Sequence, residues 1–130
     1  MFTVAQIHKA HDKVKSGADF PGYIQEIKAL GVEGFETFVE DSHTDYFGAN
    51  DYKTSSDAVY DALAIAEKSN KEKFTVRLKA HQKGETDYMT FCKDCAENGI
   101  EKWVVDLHKM TCIYYDKGAN EILVEKIPGV

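Results

Sequence analysis

Hydrophobic positions spaced three and four residues apart predict four α-helices, two in each half of the chain. The first helix begins at Thr3, because Thr3 and Gln6 can cap each other's free backbone amides, and it is expected to end at Ser16-Gly17-Ala18. The second begins at Asp19 and ends at Gly31, a residue type suited to the left-handed conformation that follows many helices. The predicted buried side chains are Val4, Ile7, His11 and Val14 in the first helix and Tyr23, Ile24, Ile27 and Leu30 in the second.

The second half of the chain shows the same two helical patterns. A capping box at Ser69 and Glu72 starts the third predicted helix, and Gly84 ends it. Asp87 caps the fourth helix, which ends at Gly99. The predicted buried side chains are Phe74, Leu78 and His81 in the third helix and Tyr88, Phe91, Cys92 and Cys95 in the fourth.

After each helix pair the hydrophobic period changes to two, which predicts β-strands. The first half is expected to form strands from Phe35, at 44–47 and at 51–55, and the second half from Trp103, at 111–115 and at 122–127, where Pro128 ends the last strand. Residues expected to face inward are Phe35, Thr37, Val39, Trp103, Val105 and Leu107, which alternate with Glu36, Phe38, Glu40, Val104, Asp106 and His108. Residues 56–66 fit either a helix or a strand.

The residues from Asp19 to Phe47 align without a gap to those from Asp87 to Tyr115, 68 positions later. The identical pairs are Asp19 and Asp87, Gly31 and Gly99, Glu33 and Glu101, and Tyr46 and Tyr114. The alignment predicts a tandem duplication of a helix-helix-three-strand meander unit, at about 3–55 and 69–127, joined by a connector at 56–68. We therefore expect one α+β domain over residues 1–130, in which a pseudo-twofold axis relates the units. Their antiparallel strands are expected to form one sheet or two adjoining sheets, covered by helices on one side.

Composition narrows the functional classes. The chain has 130 residues, 43% of them hydrophobic, and a formal net charge of -6 with a pI near 5.3. An acidic chain without a basic cluster argues against sequence-independent nucleic-acid binding and against binding to anionic membranes. There is no signal-peptide pattern and no apolar run of membrane-spanning length, so a cytoplasmic location is expected. Three cysteines do not make a disulfide framework.

Several long segments together resemble a small bacterial family of YbcV/YdfO type that is often labelled a phage envelope protein. They are KVKSGADFPGYIQEIKALGV, NKEKF, TDYMTFC and GIEKWVVDLHKMTCIYYDKGANEILVEKIP. The resemblance covers nearly the whole chain and implies a prophage-associated protein without an assigned activity. It also implies a glycine in the first hairpin turn, where this chain has Ser42.

Cys92 and Cys95 form a CxxC motif, which can indicate a redox pair or part of a zinc site. A redox pair is expected at a helix N-terminus, whereas these residues lie further along their helix. A structural zinc site needs four ligands, and only Cys112 remains. The two positions align with Ile24 and Ile27, so core packing is favoured, and no metal or other cofactor is predicted.

His11 and His81 occupy equivalent positions in the two units, and Glu33 and Glu101 form a second equivalent pair. Two histidines near a pseudo-twofold axis could bind a metal or an acidic ligand, with His43 or His108 nearby, but helix-edge histidines bonded to backbone carbonyls are more common. The glutamates could serve acid–base chemistry or only fix the start of a strand. These four residues are the candidate ligand-binding positions, and no catalytic residue is assigned.

Three classes of function follow, with a non-enzymatic protein that binds a protein partner or a small ligand favoured. The alternatives are an enzyme with its site at the junction of the units and a virion structural component, and a homo-oligomer is left open. A cleft lined by both histidines would favour the enzyme, whereas an uncovered apolar sheet face would favour binding to a partner or to a second copy.

Overall fold

The computed structural model describes residues 2–14 and 19–127. Within these residues the chain forms four helices and six strands, which confirms the predicted α+β class. The helices are α1 (Val4–His11), α2 (Phe20–Leu30), α3 (Lys71–Gln82) and α4 (Tyr88–Glu97). The strands are β1 (Val32–Phe38), β2 (Thr44–Gly48), β3 (Lys53–Ser55), β4 (Lys102–Asp106), β5 (Thr111–Tyr115) and β6 (Glu121–Lys126). None of the helices in the described ranges has the length and apolar character needed to cross a membrane.

Local capping fixes several helix ends as predicted. The Thr3 side chain accepts a hydrogen bond from the Gln6 amide, and the Gln6 side chain accepts one from the Thr3 amide at 2.8 Å. Asp87 caps α4 by accepting from the Thr90 amide at 2.8 Å. Gly31 and Gly99 follow α2 and α4 with φ angles of 109° and 77°, in the left-handed region that favours glycine.

Three helix ends differ from the prediction. The helix α1 has its C-cap at Asp12, before the expected end at 16–18, and residues 15–18 lie outside the described part of the chain. Asn70 rather than Ser69 caps α3, since Asn70 has an extended backbone (φ −132°, ψ 90°) and its side chain accepts from the Lys73 amide at 3.1 Å. Asp19 precedes α2 with a helical backbone (φ −87°, ψ −12°) instead of the extended one expected of an N-cap.

All six strands form one antiparallel sheet in the order β3-β2-β1-β4-β5-β6. The first strand of each unit therefore lies at the centre, and the hairpins β2-β3 and β5-β6 extend outward on either side. The central register is Phe35 opposite Val105, Glu36 opposite Val104 and Thr37 opposite Trp103. If each residue is replaced by its equivalent in the other unit, 68 positions away, the Phe35–Val105 pair becomes the Thr37–Trp103 pair. The Glu36–Val104 pair becomes itself, so the register is symmetric. The symmetry agrees with a tandem duplication, which itself stays a prediction.

The core lies on one side of the sheet. The inward residues predicted for the central strands are buried, among them Trp103 at 9% exposure, whose ring centre is 5.6 Å from that of Phe91 in α4. In α3, Phe74 packs on Tyr114 of β5 with ring centres 5.0 Å apart, and the Tyr23 side chain of α2 lies close to that of Tyr46 of β2. The helices therefore cover the same face of both hairpins.

Three strand boundaries and two predicted buried positions need correction, one of which is His11, an exposed residue of α1. Strand β1 begins at Val32 rather than Phe35, because Val32 already pairs with Gly48 across a register shift. Strand β3 begins only at Lys53, since the two residues before Tyr52 have left-handed backbones. Strand β6 covers Glu121–Lys126 rather than 122–127, and Pro128 lies outside the described residues. Tyr88, predicted to be inside, is 37% exposed, and its hydroxyl lies 2.5 Å from Ser42 Oγ.

The connector forms neither helix nor strand. It runs past one end of the central strands, where the Leu63 amide donates to the Glu40 carbonyl at 2.7 Å. The Ala66 amide then donates to the Ala96 carbonyl at the end of α4, at 2.9 Å. The connector therefore links the turn after β1 to the helical layer of the second unit.

Candidate functional site

The face of the sheet opposite the helices has no described element packed on it, and we call it the uncovered face. Its middle row follows from the register: Ser55, Asp45, Glu36, Val104, Ile113 and Val124, from β3 to β6. The row is polar in the first unit and aliphatic in the second. Val124 is 51% exposed, while Val104 and Ile113 are half-buried.

Aromatic side chains and one lysine extend the uncovered face toward the end of β1. Lys102 lies opposite both Phe38 and Tyr115, and its Nζ is 5.8 Å and 5.6 Å from the centres of their rings. The same Nζ donates to Glu36 Oε1 at 2.8 Å. Because this cation is paired and rests between two rings, it holds the aromatic side chains of both units in one surface.

The turn after β1 supports Phe38 from the other side. The His43 ring stacks on Phe38 with centres 4.5 Å apart, and its Nδ1 lies 2.5 Å from Asp41 Oδ1. Burial would raise the pKa of the Asp41 carboxyl, but hydrogen bonds from the His43 amide and ring lower it below its usual value. The pair therefore fixes the ring that stacks on Phe38, while His43 remains about a third exposed.

A groove opens where the connector passes the end of the uncovered face, and we call it the junction groove. It has a volume of about 520 Å³ and is lined by Phe38, Glu40, Leu63, Ala64, Ile65, Glu67, Glu101 and Lys117. Its lining combines four apolar residues with three glutamates and one lysine. Lys117 Nζ donates to Glu67 Oε1 at 2.7 Å, so one of the three carboxylates is already paired.

The structure places the two candidate histidines within their own units. The exposed His11 packs its ring edge-on against Tyr23 at 5.1 Å, and burial of part of its ring lowers its pKa. His81 stacks on Phe91 at 4.4 Å, with Nδ1 3.2 Å from the Thr86 carbonyl oxygen, and burial lowers its pKa too. Neither histidine lines the junction groove, and His81 has the backbone contact typical of a helix-edge histidine.

The candidate glutamates lie at opposite ends of β1. The Glu33 carbonyl accepts from the Leu107 amide at 3.0 Å, and the Glu101 carbonyl accepts from the Val39 amide at 2.9 Å. Leu107 and Val39 are six positions apart in register, a separation of roughly 20 Å along a strand. The Glu33 side chain approaches His108 Nε2 at 3.4 Å, whereas Glu101 lines the junction groove. The structure therefore does not bring the four candidates together.

The cysteines are buried, as the alignment with Ile24 and Ile27 predicts. Cys92 and Cys95 are fully buried, Cys112 is 7% exposed, and burial raises the pKa of each thiol. Cys92 also contacts the hydroxyl groups of Tyr60 and Tyr88, which the sequence pattern did not indicate. Within residues 2–14 and 19–127, no three His, Cys, Asp or Glu side chains are grouped so that they could hold a metal ion.

A known family matches almost the entire chain. Its description is "Protein of unknown function (DUF1398)", and the match covers residues 8–126. The chain belongs to the DUF1398 family. No curated protein matches it. The DUF1398 match agrees with the expected small family without an assigned activity, whereas the YbcV/YdfO and phage labels stay predictions.

Most groove residues of this DUF1398 protein were not predicted as site residues. Glu101 was a candidate, and Phe38 and Glu40 were expected to face away from the core, but nothing indicated that they share a surface with the connector. The one available signal was the apolar content of Leu63 and Ile65 in a segment without a regular pattern. An apolar pair in an irregular segment must pack against some surface, although its sequence does not say which one.

Proposed function

We propose that this protein is a non-enzymatic binding protein whose uncovered face docks a different protein that carries basic charge. The observation that supports this most directly is the aliphatic row Val104, Ile113 and Val124, which continues into the aromatic pair around Lys102. Contiguous apolar side chains on a sheet face without a covering layer are typical of protein interaction sites.

The charge of the chain favours a different protein over a second copy. Each copy carries a formal charge of -6, so two copies approaching face to face repel each other, whereas a basic partner is attracted. On the face itself Glu36 is paired with Lys102 at 2.8 Å and Asp45 with Lys53 at 3.7 Å, so the attraction of a basic partner comes from the net charge of the chain. The resemblance to prophage-associated proteins supports a phage or host protein as this partner.

An enzyme with a site at the junction receives less support from the geometry. The cleft expected for it would contain both His11 and His81, whereas each histidine packs on an aromatic ring of its own unit. The junction groove contains carboxylates without a histidine or a cysteine. General acid–base catalysis by such a set would need a carboxyl with a raised pKa near the reacting group. The binding function is therefore the one we propose.

Site-specific photo-crosslinking in the native host tests the proposal. A photoreactive residue is placed at Val124 on the uncovered face or at Val76, a 66% exposed valine of α3 on the helical side. We expect one discrete adduct with another protein from position 124, none from position 76, and loss of the adduct when Ile113→Lys is added. Equal adducts from both positions, or an adduct with the mass of two copies of this chain, would overturn the proposal.

A further inference from the structure

The junction groove continues the uncovered face. Phe38 belongs to both, since it lies in the row with Lys102 and Tyr115 and also lines the groove. A segment of a partner that crosses this row therefore reaches the groove without leaving the surface. A partner bound to the uncovered face can therefore also place a side chain in the junction groove.

The lining of the groove carries more negative than positive charge. Lys117 is paired with Glu67 at 2.7 Å, and neither Glu40 nor Glu101 forms a salt bridge with Lys117, the lysine of the groove lining. The hydrogen bond that Lys117 donates to Glu67 raises the pKa of the Lys117 ammonium group most, and the Glu101 carboxylate raises it further. Since the lining carries three negative charges and one positive charge, the groove attracts a cation.

The apolar part of the groove lining suits an alkyl chain. Phe38, Leu63 and Ile65 are partly buried apolar residues that line the groove, and methylene groups of lysine or arginine pack on such surfaces while their charged ends reach polar groups. We propose that the junction groove receives a lysine or arginine side chain of the protein that docks on the uncovered face. This inference rests on the proposed function and specifies which side chain the partner must supply.

The walls of the groove are held by backbone hydrogen bonds, so the groove is formed before a partner binds. The Leu63 amide donates to the Glu40 carbonyl at 2.7 Å, and the Val39 amide donates to the Glu101 carbonyl at 2.9 Å. The Tyr60 hydroxyl donates to the Val39 carbonyl as well and ties the connector to the same strand end. A preformed groove lowers the entropic cost of ordering a long side chain within it.

A matched set of small probes tests the charge preference. The purified wild-type chain is titrated with n-hexylammonium, n-hexanol and n-hexanoate, and backbone amide shifts are followed by NMR. We expect n-hexylammonium to bind in the millimolar range and to shift the amides of residues 63–67, Glu101 and Lys117, with weaker binding of hexanol and none of hexanoate. Binding of hexanoate as strong as that of hexylammonium would overturn the proposal.

Three charge variants distinguish the effect of charges in the groove from the effect of the protein's net charge. Glu101→Gln should weaken hexylammonium binding by about two- to fivefold, the usual effect of one partly exposed charge. Lys117→Gln should strengthen it by a similar factor, because it removes the competing cation and frees Glu67. Glu72→Gln, an equal charge change on the exposed first turn of α3, should leave it unchanged. Equal effects of Glu101→Gln and Glu72→Gln would show that only net charge matters and would overturn the proposal.

Two further measurements distinguish this inference from the proposed function. Ile113→Lys should abolish the adduct formed from position 124 while leaving hexylammonium binding intact. Glu101→Gln should reduce the yield of that adduct. A full adduct yield in Glu101→Gln would overturn the groove proposal and leave the proposed function standing, because the face would then bind its partner without the groove.

Discussion

At the scale of single residues, Ser42 has a backbone conformation that costs free energy and a side-chain hydrogen bond that stabilises the fold. It is 5% exposed and has a φ of 63°, a left-handed conformation that glycine adopts more readily than serine. Its Oγ hydrogen-bonds the Tyr88 hydroxyl at 2.5 Å, which links the first hairpin turn to α4 of the other unit. The bond between units therefore offsets a local backbone cost.

Substitutions at Ser42 should separate these two contributions. Ser42→Ala keeps the left-handed backbone and loses the hydrogen bond, so we expect a loss of about 1 to 2 kcal/mol in the free energy of unfolding. Ser42→Gly loses the same bond but relieves a backbone cost of about 1 to 2 kcal/mol, so its stability should lie closer to wild type. Urea denaturation measures both variants, and Tyr88→Phe serves as a control that removes the same bond. An alanine variant at least as stable as the glycine variant would contradict the account.

At the scale of elements, a glycine with a left-handed backbone follows the second helix of each unit, but the two glycines have different neighbours. Gly31 and Gly99 both have positive φ angles. A Cβ on Gly31 would approach only the Phe2 side chain, at 3.7 Å, whereas a Cβ on Gly99 would lie 2.7 Å from the Lys68 carbonyl oxygen. The difference arises because the connector backbone runs beside the end of α4, whereas a side chain, that of Phe2, is what lies near Gly31 in the described part of the chain.

Alanine at the two glycines should therefore have unequal effects. Gly31→Ala should cost about 1 to 2 kcal/mol for the left-handed backbone alone. Gly99→Ala should cost a further 1 to 3 kcal/mol, because the backbone of the connector must move to admit the methyl group. Thermal or urea unfolding of both variants gives the comparison. Equal losses at the two sites would mean that the connector does not pack against Gly99 as the structure shows.

At the scale of the whole molecule, the sheet is covered by helices on one face only. Adjacent residues of β4 therefore have opposite surroundings. Val105 is 1% exposed under the helices, while Val104 lies on the uncovered face opposite Glu36. The proposed binding function depends on this difference between the two faces.

Replacing Val104 or Val105 of β4 with lysine tests whether the helices cover only one face of the sheet. Val105→Lys would place a charge in the core without a partner, and we expect a loss of more than about 4 kcal/mol and an unfolded chain. Val104→Lys should change stability by less than about 1 kcal/mol, because the side chain reaches water and faces a carboxylate. Circular dichroism and urea denaturation measure both. A Val104→Lys variant that unfolds would show that the second face is also covered.

The periodicity and capping residues of the sequence determined much of the local structure. The helix ends at Gly31 and Gly99, the strand β5 and the burial of Trp103 and Cys95 followed from spacing within each unit. Such features depend on residues within a few positions of one another, and on the comparison of one unit with the other. The alternation in β1 also showed that Phe38 and Glu40 face away from the core, although not that they line a groove.

Only the tertiary structure decided how these elements form a surface. The pairing of β1 with β4, the path of the connector and the separation of Glu33 from Glu101 depend on contacts between residues far apart in the chain. Local patterns do not encode which of two equivalent histidines or glutamates approach each other. The junction groove and the uncovered face arise because the helices pack on one side of the sheet while the connector passes the end of its central strands. Neither arrangement can be read from spacing alone, since each is fixed by packing between the two units.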